Sequence, residues 1–510
     1  MTVPRSYRLL ALGRDIARQR SDLLVAFMLL GWTAWFWNGP LINDVGWQMW
    51  VGRRMSEGAL LYRDILEINP PLWFWIGEAL VRAGDFIQVR PAALLVAGLG
   101  AGALLALALI RSTGASAPDR MLLGLGLVST LFLTAPFALG QREQWVVIAT
   151  LPYVALQAAR MEERRVSSGA VLAIALLAAS GIALKHYFVA LPVALELWLV
   201  VRRRTFSLRL EHGVLLLAGA AYIAAILLLT PDYIHVMVPM IATAYGGFDL
   251  PLLTLIANPF IFAVCGALGL LLLGRPSSMT QAAGVAAVAF ALAFIVQAKN
   301  FSYQAVPALG FAITAALLAT RRPEGRRPAL LLLIVGACAA VPAWAGLGRI
   351  DRSAAQATAD LAAGSRIMVL SSSGTVAWPL VEERGFEWNS PHMMLWMLGP
   401  HWRDMTDGTQ QRDRQLLAHK IRREVARELA CLPPDRLLVD RRYDVLLPGM
   451  GVLGWFRADP AFTVALKGYA RRPDHNIIEV WERKAETRTP AASTACPSST
   501  GSAASPVFRP

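Results

Sequence analysis

Long apolar runs separated by short polar segments dominate residues 20–350 of the chain. A membrane-spanning helix needs about 20 mostly apolar residues, and about 17 at the least. The pattern therefore predicts an α-helical polytopic membrane protein with about eleven transmembrane helices. The predicted spans are 22–40, 91–110, 121–139, 144–160, 168–185, 187–201, 212–230, 252–274, 280–297, 303–320 and 329–347.

The run at 71–86 has a different character. It is short, contains Glu78, Arg82 and Asp85, and opens with two tryptophans. This mixture is typical of an amphipathic helix that lies in the membrane interface. We therefore expect an interfacial helix here, because a span at 71–86 would invert the side of every later loop.

Arginine is concentrated in alternate loops, which the positive-inside rule assigns to the cytoplasm. These loops are the N-terminal segment, 111–120, 160–165, 202–209, Arg275 and 321–327. The opposite loops then face outward, namely 41–90, 140–144, 184–188, 231–251, 299–303 and everything after about 348. We expect a multi-pass protein of a bacterial inner membrane, with a cytoplasmic N-terminus and a periplasmic C-terminal part.

Composition agrees with this class. The chain has 510 residues, of which 55% are hydrophobic and 16% are charged, whereas soluble domains carry about 25% charged residues. The net charge of +14 comes from arginines in short loops, so it does not indicate a nucleic-acid partner. No CxxC, HExxH or P-loop motif occurs, so neither an ATPase nor a structural metal site is predicted.

The polar C-terminal part predicts a small periplasmic α/β or α+β domain at 351–485. Strand patterns occur at 366–374, 436–440 and 476–483, and helical spacing occurs at 410–432. Residues 486–510 are rich in Ser, Ala and Pro and are predicted to be a disordered tail. Spacing alone does not show whether Cys431 and Cys496 pair.

Several ionisable or aromatic residues lie at the outer ends of the predicted spans. For any one Lys or Arg, snorkelling to the lipid headgroups is an equally good interpretation. Their common side favours a shared cavity, and acids mixed with cations suit a substrate with a phosphate and a hydroxyl to be deprotonated. The residues are Asp44, Asp64, Glu67, Arg142, Glu143, Lys185, His186, Lys299 and Tyr303.

Asn43 and Asp44, followed by "GALLYRDILEINPPLWFW", resemble the first outer loop of GT-C glycosyltransferases. These integral membrane enzymes transfer a sugar from a polyprenyl-phosphate carrier. The resemblance extends over roughly residues 20–350, with further similar pieces at 140–153, 181–192 and 297–308. It is closest to bacterial lipopolysaccharide-modifying sugar transferases and protein O-mannosyltransferases. It implies a GT-C-like membrane domain at 1–350, with an outer active-site loop at 41–90.

The resemblance also implies a catalytic residue. In the family, the first acidic residue after the first span is catalytic, and here it is Asp44, which would act as a general base or orient the acceptor. An alternative from the residues alone is that Asn43 or Asp44 caps the following helix, and the two roles are compatible. Many family members carry an acidic pair where this chain has Asn43, which argues against a two-carboxylate metal site.

Three basic residues are candidates for binding the carrier phosphate: Arg142, Lys185 and Lys299. Fixed cations stabilise the charge that develops on a leaving phosphate. Three of them can replace a divalent ion, so we expect no cofactor to be required, although a divalent metal is left open. Glu143 is either only the partner of Arg142 or a part of the site.

The remaining candidates have two interpretations each. Asp64 and Glu67 are expected to hold the outer loop through Arg63 or Arg54, with contacts to sugar hydroxyls as the alternative. His186 is as consistent with a hydrogen-bonded residue at headgroup level as with a proton shuttle. Tyr303 is either an interfacial aromatic residue or a sugar contact.

The predicted function is the transfer of one sugar from a polyprenyl-phosphate-linked donor to an envelope glycolipid, glycan or protein acceptor. Membrane lipids are the other expected partners. The alternatives are a glycolipid transporter or flippase, and a ligase or polymerase of lipid-linked oligosaccharides. A transporter should show inverted repeats and charges near the bilayer midplane. The charges here lie at span ends, which favours the enzyme.

Overall fold

The computed structural model describes residues 5–345, 350–409 and 411–487. Cys496 and nearly all of the predicted tail at 486–510 lie outside the described residues.

The part before residue 346 is almost entirely helical, and helices occupy every run that was predicted to span the membrane. In chain order they are α1 (Arg5–Phe36), α2 (Asn43–Ser56), α3 (Leu72–Ile87), α4 (Pro91–Ser112), α5 (Ala117–Ala138), α6 (Arg142–Met161), α7 (Ser168–Ile182), α8 (Ala190–Arg203), α9 (Leu210–Leu229), α10 (Val238–Ala244), α11 (Leu252–Ile256), α12 (Pro259–Leu271), α13 (Ser278–Gln297), α14 (Val306–Ala319) and α15 (Pro323–Ala345).

Within the described residues, five helical stretches are long and apolar enough to cross a membrane. They are α4, α5, α9, α13 and Ser302–Ala319, which contains α14. Helices α7 and α12 are apolar but shorter. The chain is therefore a helical, multi-pass membrane protein, and the number of about eleven spans stays a prediction.

Side-chain caps determine where several of these helices begin. The hydroxyls of Ser116, Ser167 and Ser277 accept hydrogen bonds from the backbone N–H three residues later, at the starts of α5, α7 and α13. Each bond satisfies a donor that has no partner within the helix. These starts could be read from the sequence, because a serine precedes each apolar run.

Residues after 350 form shorter helices and a four-stranded sheet. The elements are α16 (Arg352–Ala357), β1 (Ile367–Leu370), α17 (Leu380–Arg384), α18 (Leu398–Thr406), α19 (Arg412–Cys431), β2 (Arg436–Asp440), α20 (Gly451–Arg457), α21 (Pro460–Leu466), β3 (Tyr469–His475) and β4 (Ile478–Arg483). The strand order is β1-β2-β4-β3, with β1 parallel to β2 and the other pairs antiparallel. The sequence predicted β1, β2, β4 and α19, but not the polar strand β3.

The chain divides into two compact units. The first contains Met1–Pro40, Gly84–Ala225 and Leu250–Gly348. The second contains Leu41–Ala83, Ile226–Asp249 and Arg349–Pro510. Most of the outer loop thus belongs to the same unit as the C-terminal segment. The predicted domain boundary at residue 350 and the periplasmic α/β domain stay predictions.

The first unit is held together by close helix packing. A Cβ atom on Gly310 of α14 would lie 2.8 Å from Cγ2 of Thr130 in α5, so these two backbones approach closely only because the residue is glycine. Phe290 of α13 stacks on Phe311 of α14 with ring centroids 5.6 Å apart. Nearly every side chain of α6 is buried, so α6 lies in the interior of this unit.

Candidate functional site

Asp44 lies in the first turn of α2, in the second unit. The residue at the N-cap position is Ile42, whose side chain makes no capping hydrogen bond. The alternative that Asn43 or Asp44 is the cap is therefore wrong. Asp44 is half-buried, and a carboxylate in the first turn is favoured by the positive end of the helix dipole.

Helix α2 is fixed against α3 by a close crossing. A Cβ atom on Gly52 would lie only 2.5 Å from the carbonyl carbon of Gly77. The side-chain amide of Gln48 donates a 2.8 Å hydrogen bond to the backbone oxygen of Trp73. Residues Val45–Gly52 are all buried, so the helix that carries Asp44 has a defined position within its unit.

Glu67 is buried and its carboxylate is fully engaged. One oxygen accepts a 2.7 Å hydrogen bond from the indole Nε1 of Trp47. The other accepts from the backbone N and the side-chain Nδ2 of Asn69, at 2.9 and 2.6 Å. Glu67 therefore joins α2 to the segment between α2 and α3, and these contacts support a role in holding the outer loop.

Asp64 and Glu67 were expected to pair with Arg63 or Arg54, and this expectation is wrong. Arg63 lies 3.4 Å from Asp232, and Arg54 lies 2.6 Å from Glu57, the residue that follows the end of α2. The carboxylate of Asp64 is exposed and accepts a 2.8 Å hydrogen bond from the backbone N–H of Leu60. Asp64 thus stabilises a tight turn.

Tyr62 adopts a backbone conformation that is unusual for a large side chain. Its φ is +72°, although it is fully buried. Its hydroxyl donates a 2.5 Å hydrogen bond to the backbone oxygen of Asn69, and its ring packs on Tyr233 with centroids 5.0 Å apart. Such strain costs about 1–3 kcal/mol and persists only where surrounding contacts impose it.

The outer loop packs on the C-terminal segment within the second unit. Trp47 contacts Trp378 edge to face, with centroids 5.2 Å apart. The backbone N–H of Leu66 donates to the oxygen of Pro391 at 2.8 Å. Sequence reasoning missed these contacts, and the clustering of tryptophans in both segments was the only signal that pointed to them.

In the first unit, Arg142, Glu143 and Lys185 form a buried charge cluster. The ammonium of Lys185 lies 2.6 Å from Oε1 of Glu143, and Nε of Arg142 lies 3.7 Å from the same oxygen. Their side chains are at most 8% exposed. The structure thus brings together two of the three candidate phosphate ligands, and Glu143 is the partner of both.

Tyr303 lies under this cluster. The Lys185 ammonium is 5.1 Å from the centroid of the Tyr303 ring, a distance at which a cation is attracted to the ring face. Tyr303 therefore helps to hold Lys185. His186 is exposed, and its ring lies 3.9 Å from that of Tyr187. The functional role predicted for His186 stays a prediction.

Lys299 is buried in a sharply turned loop of the first unit. Its two neighbours, Ala298 and Asn300, have φ values of +56° and +59°. This left-handed conformation is routine for Asn but costs an alanine roughly 1–2 kcal/mol. Hydrogen bonds from the backbone N of Leu250 to Ala298 O (2.8 Å) and from Asn258 Nδ2 to Asn300 Oδ1 (2.5 Å) hold the turn.

Within the three described ranges, no group of three or more His, Cys, Asp or Glu side chains is placed to hold a metal ion. The expectation that no cofactor is required stays a prediction.

The fold resembles that of a solved membrane glycosyltransferase. The crystal structure of ArnT from Cupriavidus metallidurans, bound to undecaprenyl phosphate, matches with a TM-score of 0.52 and 14% sequence identity, over 94% of this chain and 100% of that one. This chain has the GT-C fold. The fold expected from the outer-loop resemblance is thereby confirmed.

A second GT-C structure was also found, the cryo-EM structure of the arabinofuranosyltransferase AftD from Mycobacteria. It matches with a TM-score of 0.40 and 12% identity, over 95% of this chain and 40% of that chain. At that score it carries no argument. No protein-family model matches the sequence, and no curated protein matches it either.

Proposed function

We propose that this protein is a glycosyltransferase that moves one sugar from a polyprenyl-phosphate-linked donor to an envelope glycolipid, glycan or protein acceptor. The observation that carries the proposal is the GT-C fold, which the chain shares along 94% of its length with ArnT, a protein whose structure contains undecaprenyl phosphate. The membrane-spanning helices agree with a lipid-linked donor.

Asp44 is the proposed general base. It removes the proton from an acceptor hydroxyl while the hydroxyl oxygen attacks the anomeric carbon of the donor sugar. The bond between that carbon and the phosphate oxygen breaks, so the products are the glycosylated acceptor, polyprenyl phosphate and a protonated Asp44. The first-turn position of Asp44, on a helix fixed by its crossing with α3, supports this role.

Arg142, Lys185 and Lys299 are the proposed ligands of the carrier phosphate. The cluster of Arg142, Glu143 and Lys185 contains two cations and one acid, so it carries a net formal charge of about +1. Glu143 holds the two cations at defined positions, and a preorganised positive charge stabilises a leaving phosphate. In this proposal the cations perform the task of a divalent ion, and no cofactor is required.

The proposed topology puts the N-terminus in the cytoplasm and residues after 350 outside the inner membrane, which the arginine-rich loops support. Cysteine labelling in whole cells tests it. A thiol at Ser373 should react with a membrane-impermeant reagent, whereas one at Ser207 should react only after lysis. The reverse pattern would contradict the orientation.

Mass spectrometry of envelope glycolipids and glycoproteins tests the activity. The comparison uses a host without the gene and the same host with the wild-type, Asp44→Asn or Glu57→Gln gene. Glu57 is a matched control, because it is an exposed acid of the same loop that pairs only with Arg54 in the described contacts. We expect one sugar to be lost on deletion and restored by wild type and Glu57→Gln but not by Asp44→Asn.

Other outcomes decide between the alternatives. Full restoration by Asp44→Asn would show that Asp44 is not the base. Loss or accumulation of whole oligosaccharides, instead of one sugar, would indicate a flippase, ligase or polymerase.

A further inference from the structure

An open groove of about 390 Å³ lies in the second unit, where the ends of α20 and α21 meet the sheet. This volume is within the range of about 300–1,000 Å³ that is usual for small-molecule sites. None of the residues placed in the proposed transfer reaction lines it. The polar and aromatic lining residues are Arg457, Thr463, Lys467, Tyr469, Trp481 and Lys484.

The lining is basic and contains no carboxylate. Arg457 and Lys467 are exposed, and neither forms an ion pair with any residue that the structure describes. The ammonium of Lys484 donates a 2.8 Å hydrogen bond to the backbone oxygen of Lys467, which brings a third cation to the same wall. The groove therefore complements an anionic occupant.

Trp481 provides an aromatic surface within this basic groove. It is half-buried in β4, and the guanidinium of Arg457 lies 5.4 Å from its ring centroid. Its indole N–H donates a 2.9 Å hydrogen bond to Glu479, which holds the ring in place. The carboxylate of Glu479 also lies 3.8 Å from Nε of Arg471, a residue outside the groove. The positive charge of Arg471 therefore offsets the negative charge of Glu479.

We infer that this groove binds a phosphorylated sugar unit of a glycan. The apolar C–H face of a sugar ring packs on the indole, whereas the phosphate pairs with Arg457, Lys467 and Lys484. A bare anion would use only the cations, and a neutral sugar would use only the tryptophan. The inferred ligand therefore carries a sugar ring and a phosphate together. The inference goes beyond the proposed transfer, because none of the residues placed in that reaction lines the groove.

The chain's own tail does not fit as the occupant. Residues 488–510 contain two arginines and no Asp or Glu side chain, so their charge has the same sign as that of the groove.

Isothermal titration calorimetry on the purified full-length protein tests the inference, in a detergent without a sugar headgroup. The probes are trehalose 6-phosphate, trehalose and inorganic phosphate. We expect trehalose 6-phosphate to bind at least about tenfold more tightly than either of the other two, because only it engages both the cations and the tryptophan. Equal affinity for inorganic phosphate would overturn the inference.

Matched variants separate the two contributions. Lys467→Ala should weaken binding of trehalose 6-phosphate about tenfold, which is the effect of losing one strong charged contact. Arg412→Ala, which removes an exposed cation outside the groove, should leave binding unchanged. Trp481→Ala should bring trehalose 6-phosphate down to the affinity of phosphate, while Trp481→Phe retains the preference.

Two further results complete the test. If Trp481→Ala does not unfold cooperatively, that variant is not properly folded and its affinity carries no information. The comparison of Lys467→Ala with Arg412→Ala then decides whether trehalose 6-phosphate binds in the groove. Binding of sugar-free phosphatidylglycerol vesicles that depends on Lys467 but not on Trp481 would overturn the inference and identify a lipid-headgroup surface instead.

Discussion

The indole Nε1 of Trp47 donates a 2.7 Å hydrogen bond to the buried carboxylate of Glu67. Trp47 lies one turn after Asp44 on α2, so this bond ties the helix that carries the proposed base to the segment between α2 and α3. Both carboxylate oxygens accept hydrogen bonds from uncharged groups, namely the Trp47 indole and the backbone and side-chain N–H groups of Asn69. Glu67 is thus a positioning residue.

A double-mutant cycle tests this relationship. Glu67→Gln and Trp47→Phe should each lower the free energy of unfolding by about 1.5–3 kcal/mol, which is usual for a hydrogen bond to a charged group. Because Glu67→Gln weakens the same bond that Trp47→Phe removes, the double variant should lose less than the sum. Equilibrium unfolding of the purified protein measures the coupling. Additive losses would show that the bond contributes no free energy of its own.

A second prediction follows from the buried ion pair between Glu143 and Lys185. Lys185→Met leaves the fully buried Glu143 with only the more distant Arg142, and breaking a buried pair costs about 3–5 kcal/mol. Adding Glu143→Gln removes the uncompensated charge, so the double variant should regain much of the lost thermal stability. Thermal unfolding of the four proteins measures this. A double variant less stable than Lys185→Met would contradict it.

The crossing of α2 and α3 makes a third prediction. Gly52→Ala would place a methyl group 2.5 Å from the carbonyl carbon of Gly77. We expect a loss of about 1–3 kcal/mol, because neither backbone can move aside cheaply. Gly98→Ala is the control, since Gly98 is also inside a helix but a Cβ atom added to it would point into open space. It should be neutral or stabilising, by up to about 1 kcal/mol. Comparing the melting temperatures of the two variants checks both expectations.

Glu428 makes a prediction about pH. Burial raises the pKa of this α19 carboxyl well above its ordinary value, and the charge of Glu424 raises it further, against smaller opposing effects of Ser390 and Arg427. The folded protein therefore holds this proton to a higher pH than the unfolded chain. The stability that protonated Glu428 contributes is fully present below the pKa of this carboxyl in the unfolded chain. It is lost as the pH rises through the pKa of the same carboxyl in the folded protein.

The Glu428→Gln variant tests this dependence, because it keeps the shape without the titrating proton. Melting temperatures of wild type and variant should agree most closely near pH 4, and wild type should fall below the variant as the pH rises to 8. Parallel curves over this range would contradict the proposed cause.

The local sequence was sufficient to predict those elements whose structure depends mainly on residues close together along the chain. A helix in a membrane satisfies its backbone hydrogen bonds internally and needs only an apolar surface of sufficient length, so apolar runs predicted the helices. Strands β1 and β2 were recognised because their side chains are largely apolar and buried, and β4 because it carries the apolar residues Ile478, Val480 and Trp481. Strand β3, with the polar sequence Tyr469–His475, was missed because its backbone pairs with β4 while most of its side chains face solvent.

The sequence by itself determined the class of the protein, the position of its helices and, through the outer-loop resemblance, the GT-C fold. Only the tertiary structure decided which charges pair. Glu67 was expected to bind a nearby arginine, but it binds Trp47 and Asn69. Glu143 joins Lys185 across 42 residues of chain. The physical reason is that buried partners are selected by packing between distant segments, and no pattern along the chain records which segments meet.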